Sequence, residues 1–245
     1  MRNERRRERL RRGAYLLPSL FTIGNILLGF YAVVRGLRGD LETAALMIFG
    51  AALLDTLDGG IARLTGTESA FGREFDSLAD VLTFGAAPAW LAYEWGLAGL
   101  GRVGWLVPLF YLVCCAIRLA RFNVQVATAD RRWFVGLPAP AAASALGSLL
   151  FFAPDRAWWR GSEGLLLIVL VGLGGLMVST FRYSSFKRLD LRRRWSYRAF
   201  FPIAALLLVV AYRPTAILLA LAVLYTLSAP AAWAWSKLRP TRRAT

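Results

Sequence analysis

Polar residues along this 245-residue chain come in blocks, not at the turn-by-turn spacing of an amphipathic helix. Residues 14–34, 133–154, 164–181 and 214–236 carry no charged side chain at all. A helix needs about 20 predominantly apolar residues to cross a hydrocarbon core of ~30 Å. Measured this way, the pattern predicts eight spans, at 15–34, 42–62, 73–95, 103–122, 134–153, 164–183, 197–212 and 214–235. The expected fold class is all-α, a polytopic transmembrane helical bundle. Residues 1–245 are read as one membrane-embedded domain, with a basic segment at 1–14 and a basic tail at 236–245.

Composition supports a membrane protein. Hydrophobic residues make up 57% of the chain, too many for a soluble domain of this length to cover with polar surface. The net charge of +15 could suggest nucleic acid, but the basic residues sit between the apolar blocks, where they set topology. With the N-terminus inside, 24 of the 30 Lys and Arg fall in cytoplasmic segments, and the orientation closes only with an even number of spans. Both termini are therefore expected in the cytoplasm of a cell (inner) membrane protein. The seven arginines among the first twelve residues read as an anchor to anionic lipid, and nucleic acid is not expected as a partner. Tryptophans near the span ends, Trp95 and Trp235 among them, are expected at the membrane interfaces.

The absence of histidine removes Ser-His-Asp and Cys-His chemistry and any histidine-ligated zinc or haem. Cys114 and Cys115, adjacent in an apolar run, form neither a disulfide framework nor a CxxC knuckle and read as small packing residues. A bound metal would need oxygen ligands, which favours Mg²⁺, Mn²⁺ or Ca²⁺.

The second and third spans do carry charge. Asp55 and Asp58 stand at i and i+3, and Asp76 and Asp80 at i and i+4, so each pair lies on one helix face. One helix approaches the cytoplasmic side and the next leaves it, which puts all four at similar depth near that face. An intramembrane carboxylate costs at least ~2.5 kcal/mol even on lenient insertion scales, so four need a compensating partner. Ion pairs with Arg63, Arg73 or Arg118, or a cation pathway, would answer that need. So would one or two hard divalent ions between the carboxylates. Gly59, Ala62 and Gly72 on the same faces permit close approach of helices or a ligand.

These residues form the pattern Asp-x2-Asp-Gly-x2-Ala-Arg-x8-Gly-x3-Asp-x3-Asp, complete here as Asp55, Asp58, Gly59, Ala62, Arg63, Gly72, Asp76 and Asp80. In this the chain resembles the CDP-alcohol phosphotransferases, integral membrane enzymes that displace CMP from a CDP-linked lipid or alcohol with an acceptor hydroxyl. Four further segments, Pro18–Phe30, Arg118–Asn123, Gly136–Ala142 and Met177–Lys187, are similar to the members that make phosphatidylserine, although Ser19 departs from their usual Asn.

The resemblance implies transfer of a phosphatidyl group from CDP-diacylglycerol to L-serine, with two divalent cations, Mg²⁺ or Mn²⁺, as cofactors. Asp55, Asp58 and Asp76 would hold one ion and Asp55, Asp76 and Asp80 the other, with Asp80 also the general base. Asp58, Gly59, Ala62, Arg63 and Gly72, with Ser69 in the connecting loop, would receive the CDP-lipid. Serine needs a cation for its carboxylate, and Arg118, Arg121, Arg182 and Lys187 are the candidates, each of which could instead serve topology or lipid phosphates. Membrane lipids and a second copy of the chain are the expected partners. Other acceptors, such as glycerol 3-phosphate or inositol phosphate, remain open, as does a divalent-cation transporter.

Overall fold

The computed structural model describes residues 2–65, 70–125, 133–155, 161, 163–184 and 212–238; the side chains of 2–19, 61–65, 125, 133, 134, 184 and 238 lie outside this description. Helix α1 (Arg2–Leu37) and helix α2 (Leu41–Thr65) form a hairpin and pack along each other. Asp40 caps α2, accepting the backbone N–H of Thr43 at 3.0 Å, and pairs with Arg35 from the end of α1. Gly39 makes the reversal with φ +79°, a conformation that disfavours other residues. Small buried residues, Ala32 on α1 and Ala44, Ala45 and Ala51 on α2, let neighbouring helices approach closely.

Helix α3 (Ala70–Asp80) continues through a π-helical turn at Val81–Ala86 into α4 (Ala87–Ala92), a second π-turn and a 3₁₀ turn at Ala98–Leu100. Pro88 accounts for the first π-turn. It has no N–H to offer the carbonyl of Phe84 four residues earlier, and the buried Tyr111 hydroxyl donates to that oxygen instead, at 3.0 Å. The chain then reverses at Gly101 (φ +59°) into α5 (Gly101–Gln125), which packs back along this broken helix and against α7 (Glu163–Val178). Helix α6 (Ala139–Phe152) packs on α2, and α8 (Pro214–Leu238) packs on α6.

Prolines and tyrosines meet a second time at α8. Pro230 leaves the Thr226 carbonyl without its usual donor, and the buried hydroxyl of Tyr183 supplies one at 2.9 Å. Large apolar side chains such as Phe30 (68% exposed), Ile168 and Leu224 face outward, as lipid-facing positions do.

Three helical stretches among the described residues are long and apolar enough to cross a membrane: Leu20–Leu37, Ala70–Val124 and Pro214–Lys237. The middle one is 55 residues long and folds back at Gly101, so it contains the predicted spans 73–95 and 103–122. The predicted span 197–212 lies outside the described residues, apart from its last position. Two sequence expectations are corrected. The spans drawn at 134–153 and 164–183 begin and end in a two-stranded antiparallel ribbon, β1 (Trp133–Val135) with β2 (Arg182–Ser184). Gly136 at φ +78° and Pro138 postpone α6 to Ala139. Trp95, expected at an interface, is buried at 1% exposure in the packed interior, whereas Trp235 is exposed.

Candidate active site

Three of the four motif carboxylates converge. One oxygen from each of Asp55, Asp76 and Asp80 lies within 4.8 Å of the others, bringing the middle of α2 against the C-terminal half of α3. Helical spacing explains the convergence. Asp76 and Asp80 are one turn apart on one face of α3, and that face meets the turn of α2 carrying Asp55. Asp58, one turn further along α2, sits beside this triplet and accepts a hydrogen bond from Thr22 Oγ1 at 3.1 Å. Its other oxygen, Oδ1, is buried without a hydrogen-bond partner among the described residues. Asp55 and Asp76 are half-buried, and Asp58 and Asp80 are buried.

This donor set fits divalent metal. It offers only oxygen, it gathers negative charge where water is scarce, and it includes a buried carboxylate oxygen that no group among the described residues satisfies. Gly72 on α3 and Gly59 and Gly60 on α2 are half-buried beside the carboxylates, and a methyl group built on Gly60 would meet nothing within 4 Å. The side chains of Ala62 and Arg63, and the whole of Ser69 and Lys187, lie outside the described residues.

The cationic candidates separate into distinct environments. Arg118 on α5 is buried at 6% exposure, lies within electrostatic reach of Asp80, and has an Nε with no hydrogen-bond partner among the described residues. Arg121, one turn further, is turned away from the carboxylates. Its guanidinium donates to the carbonyls of Val178 (2.8 Å), Val135 (3.1 Å), Ser179 (3.2 Å) and Met177 (3.4 Å). Those oxygens include the unpaired C-terminal carbonyls of α7, where the helix dipole also favours a cation. Arg121 thus closes α7 and fastens the ribbon to it. Gly136 belongs to the same knot, since an added methyl would fall 2.3 Å from the Met177 carbonyl oxygen. Arg182, on β2, is exposed.

Residues that local sequence reasoning left without a role also line this region. Asn25 on α1 donates from Nδ2 to Asp80 Oδ1 at 3.2 Å, and Thr83 Oγ1 donates to the Asn25 carbonyl at 3.1 Å. Asn123 on α5 bonds Ser77 and Glu74 of α3, tying those two helices together. The available signal was Thr22, Asn25 and Gly29, a line of polar and small positions at i, i+3 and i+7 on an otherwise apolar helix.

Comparison with known proteins agrees with this geometry. Residues 15–176 match the profile of the family described as CDP-alcohol phosphatidyltransferase. The chain is 39% identical over 201 residues to the CDP-diacylglycerol–serine O-phosphatidyltransferase of Helicobacter pylori, covering 82% of this chain and 83% of that protein. It is 38% identical over 172 residues to the enzyme of the same name from Bacillus subtilis, covering 70% and 92%. The archaetidylserine synthase of Methanothermobacter thermautotrophicus is 34% identical over 169 residues, covering 68% and 69%. The convergent aspartates and the match across most of the chain lead to one assignment: the protein belongs to the CDP-alcohol phosphatidyltransferase family.

Proposed function

We propose that this chain transfers the phosphatidyl group of CDP-diacylglycerol to the hydroxyl of L-serine, releasing phosphatidylserine and CMP. The observation that carries the reading is the convergence of Asp55, Asp76 and Asp80 beside a buried arginine, Arg118. Serine is favoured as acceptor because the relatives' names vary in the lipid and share serine. A phosphorylated acceptor would call for a cluster of cations, and Arg121 is occupied with backbone carbonyls.

Asp55, Asp58 and Asp76 would hold one divalent ion, and Asp55, Asp76 and Asp80 a second, Mg²⁺ or Mn²⁺. These ions would offset the charge of the diphosphate and of the departing CMP. Arg63 grips the diphosphate, and Gly59, Ala62 and Gly72 leave space for cytidine and ribose, with Ser69 a further phosphate contact. Arg118 receives the serine carboxylate, with Arg182 and Lys187 as outlying cations, and Arg121 acts indirectly by fixing the segment that carries Arg182. The serine oxygen forms a bond to the lipid-bearing phosphorus as the bond from that phosphorus to the CMP oxygen breaks. Asp80 takes the hydroxyl proton. With no histidine in the chain, a carboxylate is the available side-chain base.

The reading includes eight spans, a single catalytic domain over 1–245, both termini in the cytoplasm, an active site near the cytoplasmic face of the cell membrane, and assembly as a homodimer. The deciding experiment is CMP release by purified protein given CDP-diacylglycerol and, in turn, serine, glycerol 3-phosphate or inositol phosphate. Serine-dependent release is expected; release with a phosphorylated acceptor alone would move the protein to another branch of the family. Reporter fusions after Arg38, Gly99, Arg160 and Thr245 test topology, and an external Thr245 fusion would refute the eight-span arrangement.

A further inference from the structure

Helix α1 carries none of the acidic motif, yet it touches two of the four aspartates. Thr22 Oγ1 donates to Asp58 Oδ2 at 3.1 Å, and one turn along Asn25 Nδ2 donates to Asp80 Oδ1 at 3.2 Å. Both contacts are sheltered from solvent, with Thr22 at 3%, Asn25 at 1%, Asp58 at 6% and Asp80 at 8% exposure. A carboxylate can only accept, so the NH₂ of the Asn25 amide must be the group facing Asp80.

The register of α1 is fixed independently of these bonds. Thr83, three residues beyond Asp80, donates to the Asn25 carbonyl at 3.1 Å. One turn further, Gly29 lies so close that an added methyl would fall 2.7 Å from Thr83 Oγ1 and 2.9 Å from Thr83 Cα. Backbone contact at Asn25 and Gly29 and side-chain donors at Thr22 and Asn25, all on one face, place α1 as a template against which Asp58 and Asp80 are set.

A carboxylate has two oxygens and turns easily about its last bond. Held by a donor at one oxygen, it presents the other in a fixed direction. Asp58 shows the outcome: Oδ2 is held by Thr22, while Oδ1 is buried and lacks a partner among the described residues. We propose that Thr22 and Asn25 are positioning residues for metal binding, each fixing one oxygen of its aspartate so that the other is presented to a divalent cation. This inference rests on the reading of the aspartates as metal ligands. Outer partners of metal-ligating side chains typically contribute 10–100-fold to affinity or activity.

The test is Mn²⁺ binding to purified protein in detergent without substrates, followed by electron paramagnetic resonance, alongside steady-state kinetics. Thr22→Val keeps the side chain's shape and removes only the hydroxyl, whereas Thr22→Ser retains the donor. Asn25→Ala removes the amide. Thr22→Val and Asn25→Ala are expected to weaken Mn²⁺ binding ~10-fold or more and to lower kcat similarly, with KM for CDP-diacylglycerol changing much less. Thr22→Ser is expected to recover near-wild-type affinity, which a purely structural role for this position would not require. Mn²⁺ affinity and kcat within twofold of wild type in folded Thr22→Val would overturn the proposal even if Asn25→Ala fails to fold. Absence of Mn²⁺ binding by the wild-type protein would instead overturn the metal reading on which it stands.

Discussion

The hydroxyl of Tyr111 on α5 reaches 3.0 Å to the carbonyl of Phe84, the oxygen that Pro88 leaves without a helical donor. This bond holds α5 against the π-turn that begins one residue after Asp80. Tyr111→Phe leaves that carbonyl buried and unpaired, a change that costs about 1–3 kcal/mol. A lower thermal midpoint is expected in detergent. Pro88→Ala, which supplies an N–H, should recover part of the loss in the double variant; no recovery would show that Tyr111 stabilises the protein through its packing.

Asp55→Asn and Asp76→Asn are each expected to abolish transfer, because both residues belong to the convergent triplet and each would be shared between two ions. Excess chelator should do the same to the wild-type enzyme, with activity restored by Mg²⁺ or Mn²⁺. Full turnover in chelator would rule out the divalent cations.

Asp80→Asn preserves shape and one ligand oxygen but cannot accept the hydroxyl proton. CDP-diacylglycerol binding should stay near normal while transfer to serine falls ~10²-fold or more, the range for losing a general base. Intact turnover with intact binding would leave Asp80 a ligand only.

Arg118 and Arg121 are expected to fail differently. Arg118→Ala should raise the serine KM about tenfold or more with little change in that for CDP-diacylglycerol, as expected for losing a charge-assisted contact. Arg121→Ala should lower thermal stability, since it uncovers the carbonyls closing α7. A selective rise in serine KM in Arg121→Ala alone would reverse these two assignments.

At the opposite end of the α1–α2 hairpin, Asp40 is held below the usual carboxylate range chiefly by the backbone N–H of Thr43, with Arg35 contributing. A lowered folded-state value means that the stabilisation is present above the unfolded value of about 3.9 and is lost as pH falls through the folded one. The difference in thermal midpoint between wild type and Asp40→Ala should therefore be full at pH 7 and shrink below about pH 4. A difference that persists unchanged at acid pH would mean that the carboxylate charge is not what caps α2.

What was readable in the sequence is what local periodicity records. The carboxylate pairs at i, i+3 and i, i+4 announced one face of α2 and one of α3, and those faces do meet. The roles of Thr22 and Asn25 were not readable, because their partners lie 36 and 55 residues away and helical spacing says nothing about which face a distant helix presents. The packing of Arg121 was not readable for a different reason. A basic residue near an acidic motif suggests a ligand, but its donors satisfy the end of α7, a need that exists only once α5, α7 and β1 are packed. The late start of α6 was written in Gly136 and Pro138, and hydropathy outweighed them because it does not register backbone conformation.

The short turn between α1 and α2 also bears on how the protein is made. Two aspartates make the helix bearing Asp55 and Asp58 poorly suited to enter a bilayer on its own. Only Arg38, Gly39 and Asp40 separate it from α1, whose Thr22 already offers Asp58 a donor. The two helices are therefore suited to leave the translocon as a pair. In this order of synthesis Asp58 has its donor before the ribosome has made Asp76 and Asp80.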